Sequence, residues 1–174
     1  KYKDFNASFL IDIQEGGNFF SLDTYYGFAT GIYDRSVGNN ELGNPIRNSI
    51  ANGGGVILPG VNADGSPNTT RGRTDWYANP FGYSRGMNAQ HVYDASFVKL
   101  REVSIGYDFP ESLIGNSPLT AASISLIGRN LWIISKNSPY TDPEAGLSAG
   151  NIQGNQSGAY PSVREIGVNV KLSF

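Results

Sequence analysis

The side chains of this sequence that could do chemistry are few, and most of them are aromatic. His91 is the sole histidine and cysteine is absent, so no disulfide, thiolate metal site or histidine-based ligand cluster can be assembled. A Ser–His–Asp arrangement would have to be built on that one loop histidine. Asp142 and Glu144 flank Pro143, but no second catalytic group is placed near them to make an acid–base pair. Asn62-Ala63-Asp64-Gly65 opens like a calcium loop and lacks the closing Glu at the required spacing, which makes it a turn. The chain is therefore expected to be no enzyme and to use no metal and no cofactor. What recurs is rings: Trp76, Tyr77, Phe81 and Tyr83 share one loop, and Tyr140 lies in another. Rings stack on sugar faces and bury area at low entropic cost, which suits substrate or partner contact. They also supply a long loop with a core of its own, and self-packing is the favoured use.

Composition narrows the setting. Charged residues make up 16% of the 174 positions, well below the quarter typical of soluble domains, while there are 22 Gly, 10 Tyr and 9 Phe. A net charge of −2 gives no reason to propose nucleic acid. No apolar run approaches the roughly 18 residues of a membrane helix. Abundant Gly and aromatics with modest hydropathy instead suit a transmembrane barrel, whose lipid face takes only half of each strand. Lys1-Tyr2-Lys3 leads straight into a strand with no signal-peptide pattern, so the sequence is expected to start partway through a longer polypeptide.

The elements that must position the rings are strands. From Ser162 to Phe174, Ile166, Val168, Val170, Leu172 and Phe174 share one face, and Glu165, Gly167, Asn169, Lys171 and Ser173 share the other. Such alternation makes one greasy and one wet face. A terminal aromatic after an apolar face marks Phe174 as an insertion signal of the kind outer-membrane assembly machinery reads. Five strands are predicted at about 3–14, 19–33, 95–109, 119–134 and 162–174, with long loops over 34–94 and 135–161. Val98 and Leu100 are out of phase with Val103, Ile105, Tyr107 and Phe109, which predicts a bulge near Arg101-Glu102. The facing of 119–134 is ambiguous. Lys99 and Arg101 read as strand-face or rim charges, and Trp132, Tyr107 and Phe109 suit aromatic girdles. With Phe174 at the periplasmic end, alternation puts 15–18 and 110–118 in the periplasm and both long loops outside, matching the short-turn, long-loop asymmetry of outer-membrane barrels. Five strands cannot close, and open edges in lipid cost several kcal/mol per unpaired group. The fold class expected is thus all-β, a transmembrane antiparallel β-barrel segment. A soluble or surface β-sandwich that binds glycans is the alternative.

The order of short motifs carries a resemblance. Residues 93–107, YDASFVKLREVSIGY, Gly128-Arg129-Asn130-Leu131-Trp132, Tyr140-Thr141-Asp142-Pro143-Glu144, Gly158-Ala159-Tyr160-Pro161 and the closing Leu172-Ser173-Phe174 together resemble SusC/RagA-type TonB-dependent outer-membrane transporters. Val61-Asn62-Ala63-Asp64-Gly65-Ser66-Pro67-Asn68 and Phe9-Leu10-Ile11-Asp12 extend the likeness upstream. It spans essentially the whole chain and is most specific towards its end. The resemblance implies the last five strands of a barrel of about 22, with the plug and the TonB box absent from these residues. It implies as partners the rest of the barrel and plug, a SusD-like surface lipoprotein, TonB through the plug region, and outer-membrane lipid. The implied role is a share in importing oligosaccharides or peptides.

Overall fold

The computed structural model describes residues 1–76, 79–82, 88–146, 150 and 152–174. Two compact units emerge: Lys1–Gly17, Asp94–Asn137 and Pro161–Phe174 form one, and Asn18–Tyr93 with Ser138–Tyr160 form the other.

The first unit is a four-stranded antiparallel sheet. Its strands are β1 (Phe5–Gln14), β4 (Phe97–Asp108), β5 (Ala121–Lys136) and β7 (Glu165–Ser173), in the order β1-β4-β5-β7. The register stacks like with like. Phe5, Tyr107, Ile124 and Val170 form one cross-strand row; Ala7, Ile105, Leu126 and Val168 the next; Phe9, Val103, Gly128 and Ile166 the third. The interleaved rows are Asn6, Gly106, Ser125, Asn169, then Ser8, Ser104, Ile127, Gly167, then Leu10, Glu102, Arg129, Glu165. Because paired residues share a face, the sheet has an apolar side and a largely polar side. The phase of β5 is settled too: Ile124 and Leu126 join the apolar side.

That apolar side is uncovered, with Phe9 73%, Ile166 77% and Val168 64% exposed. A sandwich would bury such rows against a second sheet, and among the described residues no second sheet covers them. Nor does the sheet close, since β1 and β7 are its open edges.

The predicted bulge is present. Arg101 is the extra residue of β4 between the pairs Leu10↔Glu102 and Ile11↔Leu100, which returns Leu100 and Val98 to the apolar side. Opposite it, Asn130 of β5 has a positive φ of 49°, a conformation Asn tolerates better than most residues. On the polar side Arg101 bonds Asp12 at 2.8 Å and Arg129 bonds Glu102 at 2.9 Å. Lys99 is buried, with its ammonium 4.9 Å from the Phe97 ring centroid. These are strand-face charges paired within the sheet, each part-exposed ion pair worth about 0–1 kcal/mol.

Two expectations are corrected. Residues 19–33 are not a long strand: they form β2 (Asn18–Ser21) followed by the helix α1 (Leu22–Thr30). Capping decides this. The Ser21 side chain accepts from the Thr24 amide, and Gly31, at φ 81°, donates to the Gly27 carbonyl, so both helix ends are satisfied. The buried residues Thr24, Gly27 and Phe28 follow helical, not alternating, spacing. The sheet therefore has four strands where five were expected.

The second correction follows from the first. Gln14, Phe97 and Lys136 are register partners at one end of the sheet, while Phe5 pairs with Tyr107 towards the other. Residues 15–18 thus leave from the same end as the long excursion to β4, not from the short-turn end, and β1 runs opposite to the direction expected. Gly16 and Gly17, at φ 80° and 84°, start that excursion. Gly16 donates to the Ser96 hydroxyl at 2.8 Å, and the Ala95 amide to the Gly17 carbonyl at 3.0 Å. Long connections now lie at one end and the β4–β5 connection, with its four-residue helix α2 (Glu111–Ile114), at the other.

A small sheet is formed by β3 (Val92–Asp94), β2 and β6 (Asn155–Gln156), in that order, all but Asp94 belonging to the second unit. β2 and β6 run parallel, and among the described residues the unit also holds α1 and three short 3-10 turns.

Candidate functional site

The aromatic candidates belong to the second unit, whose core starts at α1. Phe28, Ile46 and Phe81 are buried together, with Tyr33, Val56, Leu58 and Tyr140 packed against them. The carbonyl of Ala29, near the helix end, accepts from Arg47 at 3.1 Å and from Asn79 at 2.9 Å, so the orphan carbonyl of the last turn is met by side chains. Asn79 also accepts from the Phe81 amide at 3.0 Å, which fixes that ring in the core. Gly82 then passes so close to α1 that a Cβ there would sit 2.0 Å from the Tyr25 carbonyl oxygen.

Tyr140 stacks on Tyr33 with centroids 4.1 Å apart and planes 14° from parallel, and Phe28 meets both rings edge-on at 5.7 Å. The Tyr140 hydroxyl donates to Asp34. That bond to a carboxylate raises the Tyr140 phenol above its ordinary range, while burial, then Asp23 and Tyr93, raises Tyr33. Both shifts keep the phenols neutral at physiological pH, so the Tyr140 hydroxyl retains the proton that it donates to Asp34.

The five candidate rings thus separate. Phe81 is 4% exposed and is a core residue, unavailable to a ligand. Tyr140 holds the stack together. Trp76 is 46% exposed, with the Arg73 guanidinium 5.1 Å from its ring centroid. Arg73 is in turn gripped by both Asp75 oxygens at 2.8 and 3.0 Å, a bond that lowers the Asp75 carboxyl below its usual range. Trp76 is therefore a ring beside a cation held in place, with nearly half its surface exposed. Tyr77 and Tyr83 lie outside the described residues. Phe174 is 82% exposed beyond the end of β7.

Asn62–Gly65 is a turn: the Gly65 amide donates to the Asn62 carbonyl at 2.9 Å, and Asp64 accepts from the Ser66 amide and hydroxyl. Asp142 is likewise used locally, accepting from the Glu144 amide at 3.0 Å. Sequence reasoning treated His91 only as a lone loop histidine and did not place Phe28 and Tyr33 in a core; here Tyr33 and His91 both pack against Phe28. The signal that pointed to Phe28 and Tyr33 was the capped segment from Ser21 to Gly31.

Comparisons with known proteins agree with this architecture. No family model matches the chain. TonB-dependent receptor P3 of Formosa agariphila is 28% identical over 180 aligned positions, covering all of this chain and 15% of that protein. TonB-dependent receptor P26 of the same organism is 32% identical over 92 positions, covering half of this chain and 9% of that protein. Among solved structures, the RagAB peptide importer in its closed-closed state aligns with a TM-score of 0.60 at 20% identity. That alignment covers 99% of this chain and 16% of the matched one. The open-open state gives 0.58 over 98% of this chain. Along its whole length the chain is similar to a TonB-dependent receptor. The sheet is unclosed and shares its fold with part of the RagAB peptide importer, and the relatives that the chain matches are named as TonB-dependent receptors. It spans about 15% of the length of the P3 receptor.

Proposed function

We propose that this chain is part of the wall and loops of an outer-membrane importer for oligosaccharides or peptides, served by a SusD-type surface lipoprotein and energised by TonB. The observation that carries the reading is the two-sided sheet in a chain that is similar along its whole length to part of a TonB-dependent receptor. The apolar rows of β1, β4, β5 and β7 face lipid, and the rows with Glu102, Arg129, Asn169 and Lys171 face the interior. The sheet end that carries Phe174 is periplasmic, and residues 18–93 and 138–160 are external. Alternation of short turns and long loops supports that orientation. The test uses the full-length protein in its own outer membrane. Labelled oligosaccharide or peptide should enter only while the proton-motive force is intact, and a surface lipoprotein should co-purify in mild detergent. Uptake unaffected by an uncoupler would contradict the reading.

Two residue roles belong to the same proposal. Trp76, nearly half exposed, contacts substrate or the lipoprotein: Trp76→Ala should lower uptake at limiting substrate while outer-membrane abundance stays normal. Unchanged uptake would leave the ring a surface packing residue. Phe174 serves insertion more than the finished fold, because its ring is one exposed rim group among many. Phe174→Asp should lower outer-membrane abundance while inserted molecules melt normally; normal abundance with a lowered melting point would make it structural instead.

A further inference from the structure

His91 has no exposed surface and ends the short turn Asn88–His91. Three rings cage it, with centroids at 5.2 Å for Tyr25, 5.8 Å for Phe28 and 6.2 Å for Phe20. Its Nδ1 lies 3.2 Å from the Thr24 hydroxyl, whose own hydrogen goes to the Ser21 carbonyl at 3.0 Å. Nδ1 is therefore the donor and Thr24 the acceptor. The Ser21 hydroxyl caps α1 and donates to Gln156 at 2.6 Å, and Gln156 donates to Asp23. The imidazole thus closes a bonded chain running through the N-terminus of α1 to β6.

Its other nitrogen has nothing comparable. Nε2 is buried and has no hydrogen-bond partner among the described residues. A neutral ring leaves only an unfilled acceptor there; a protonated ring puts a donor and a positive charge in the same place, which is far costlier. Among the described residues, no carboxylate or other acceptor bonds to it. From α1 come Thr24, the Tyr25 phenol and Phe28; from β2 come Phe20 and Ser21. The turn Asp34–Ser36 contributes Arg35, a cation 5.3 Å from the Phe28 ring centroid. The carboxylates on those elements are engaged elsewhere: Asp23 with Gln156 and the Gly158 amide, Asp34 with Tyr140 and the Arg35 amide.

We propose that His91 is an acid-operated latch: neutral, it ties the turn at 88–91 to the N-terminus of α1, and protonated, it releases α1 and the aromatic core built on it. Burial, then Arg35, lowers the His91 pKa from 6.5 to about 4. Between those values the opened unit binds more protons than the folded one, so the latch is at full strength above pH 6.5 and weakens as pH falls towards 4.

Hydrogen exchange of the full-length protein in detergent, corrected for intrinsic rates, tests this. Between pH 7.5 and pH 5, opening of peptides covering 20–30 and 88–93 should rise roughly thirtyfold, while peptides of β4 stay unchanged. His91→Phe keeps a ring without the titration and His91→Gln keeps a neutral donor, and both should remove the pH dependence. Where neither variant folds, the wild-type profile still decides. Wild-type opening that is flat with pH, or an unaltered rise in a folded His91→Phe protein, would overturn the latch.

Discussion

Val168→Arg should destabilise the barrel by roughly 2–4 kcal/mol, and Asn169→Arg should be far milder. The two positions are adjacent on β7 and differ only in the face they occupy. Val168 lies in register with Leu126, Ile105 and Ala7 on the apolar side, whereas Asn169 lies with Ser125, Gly106 and Asn6. An arginine among the first set must be dehydrated in hydrocarbon; among the second it meets polar neighbours. Both are highly exposed edge-strand positions within this chain, so packing inside the sheet cannot account for a difference. The comparison is made by reversible unfolding of the full-length protein into denaturant from lipid bilayers. Equal losses at the two positions would remove the case for a lipid-facing side.

Phe28→Ala should cost about 3–5 kcal/mol, the range for truncating a buried aromatic, and the cost should fall on the loop unit. Phe28 is 1% exposed and touches the stacked Tyr33 and Tyr140 edge-on, with Arg35 over its own ring. Removing it takes away the ring that both tyrosines pack on and leaves a cavity under Phe81 and Ile46. Limited proteolysis should then cut within 34–76 many times faster while β4 and β5 stay resistant. Unchanged cleavage would mean that these loops are held by something other than their aromatic core.

The sheet was largely legible in the sequence because a strand with one buried or lipid-facing side must alternate, and a slip of one residue moves every side chain across. Val98 and Leu100, out of phase with Val103, were enough to locate the bulge at Arg101. Residues 19–33 were not legible in the same way. Phe20, Leu22, Tyr26 and Phe28 fit an alternating pattern, and in so short a helix the decision falls to caps and tertiary contacts rather than to periodicity. Ser21, Thr24 and Gly31 were the overlooked markers. Losing that strand also reversed β1, since each strand's direction was inferred from the next.

The candidate rings were harder still. Trp76 and Phe81 sit five positions apart in one loop, and nothing in their types says that one is open and the other buried. What separates them is Asn79, whose side chain binds the Ala29 and Trp76 carbonyls and the Phe81 amide. Those bonds depend on α1 being a helix, which sequence alone had not supplied.

The central claim is that the sheet divides lipid from interior, and single-cysteine scanning of β7 tests it most directly. The chain contains no cysteine, so each position from 165 to 171 can be labelled alone, in a full-length background freed of other reactive thiols. With a fluorophore attached in the native-like bilayer, Ile166, Val168 and Val170 should be quenched by brominated lipid, and Glu165, Gly167, Asn169 and Lys171 by an aqueous quencher. A clean period of two is the result the account predicts. Aqueous quenching at all seven positions, or lipid quenching on the Glu165–Asn169 side, would contradict it.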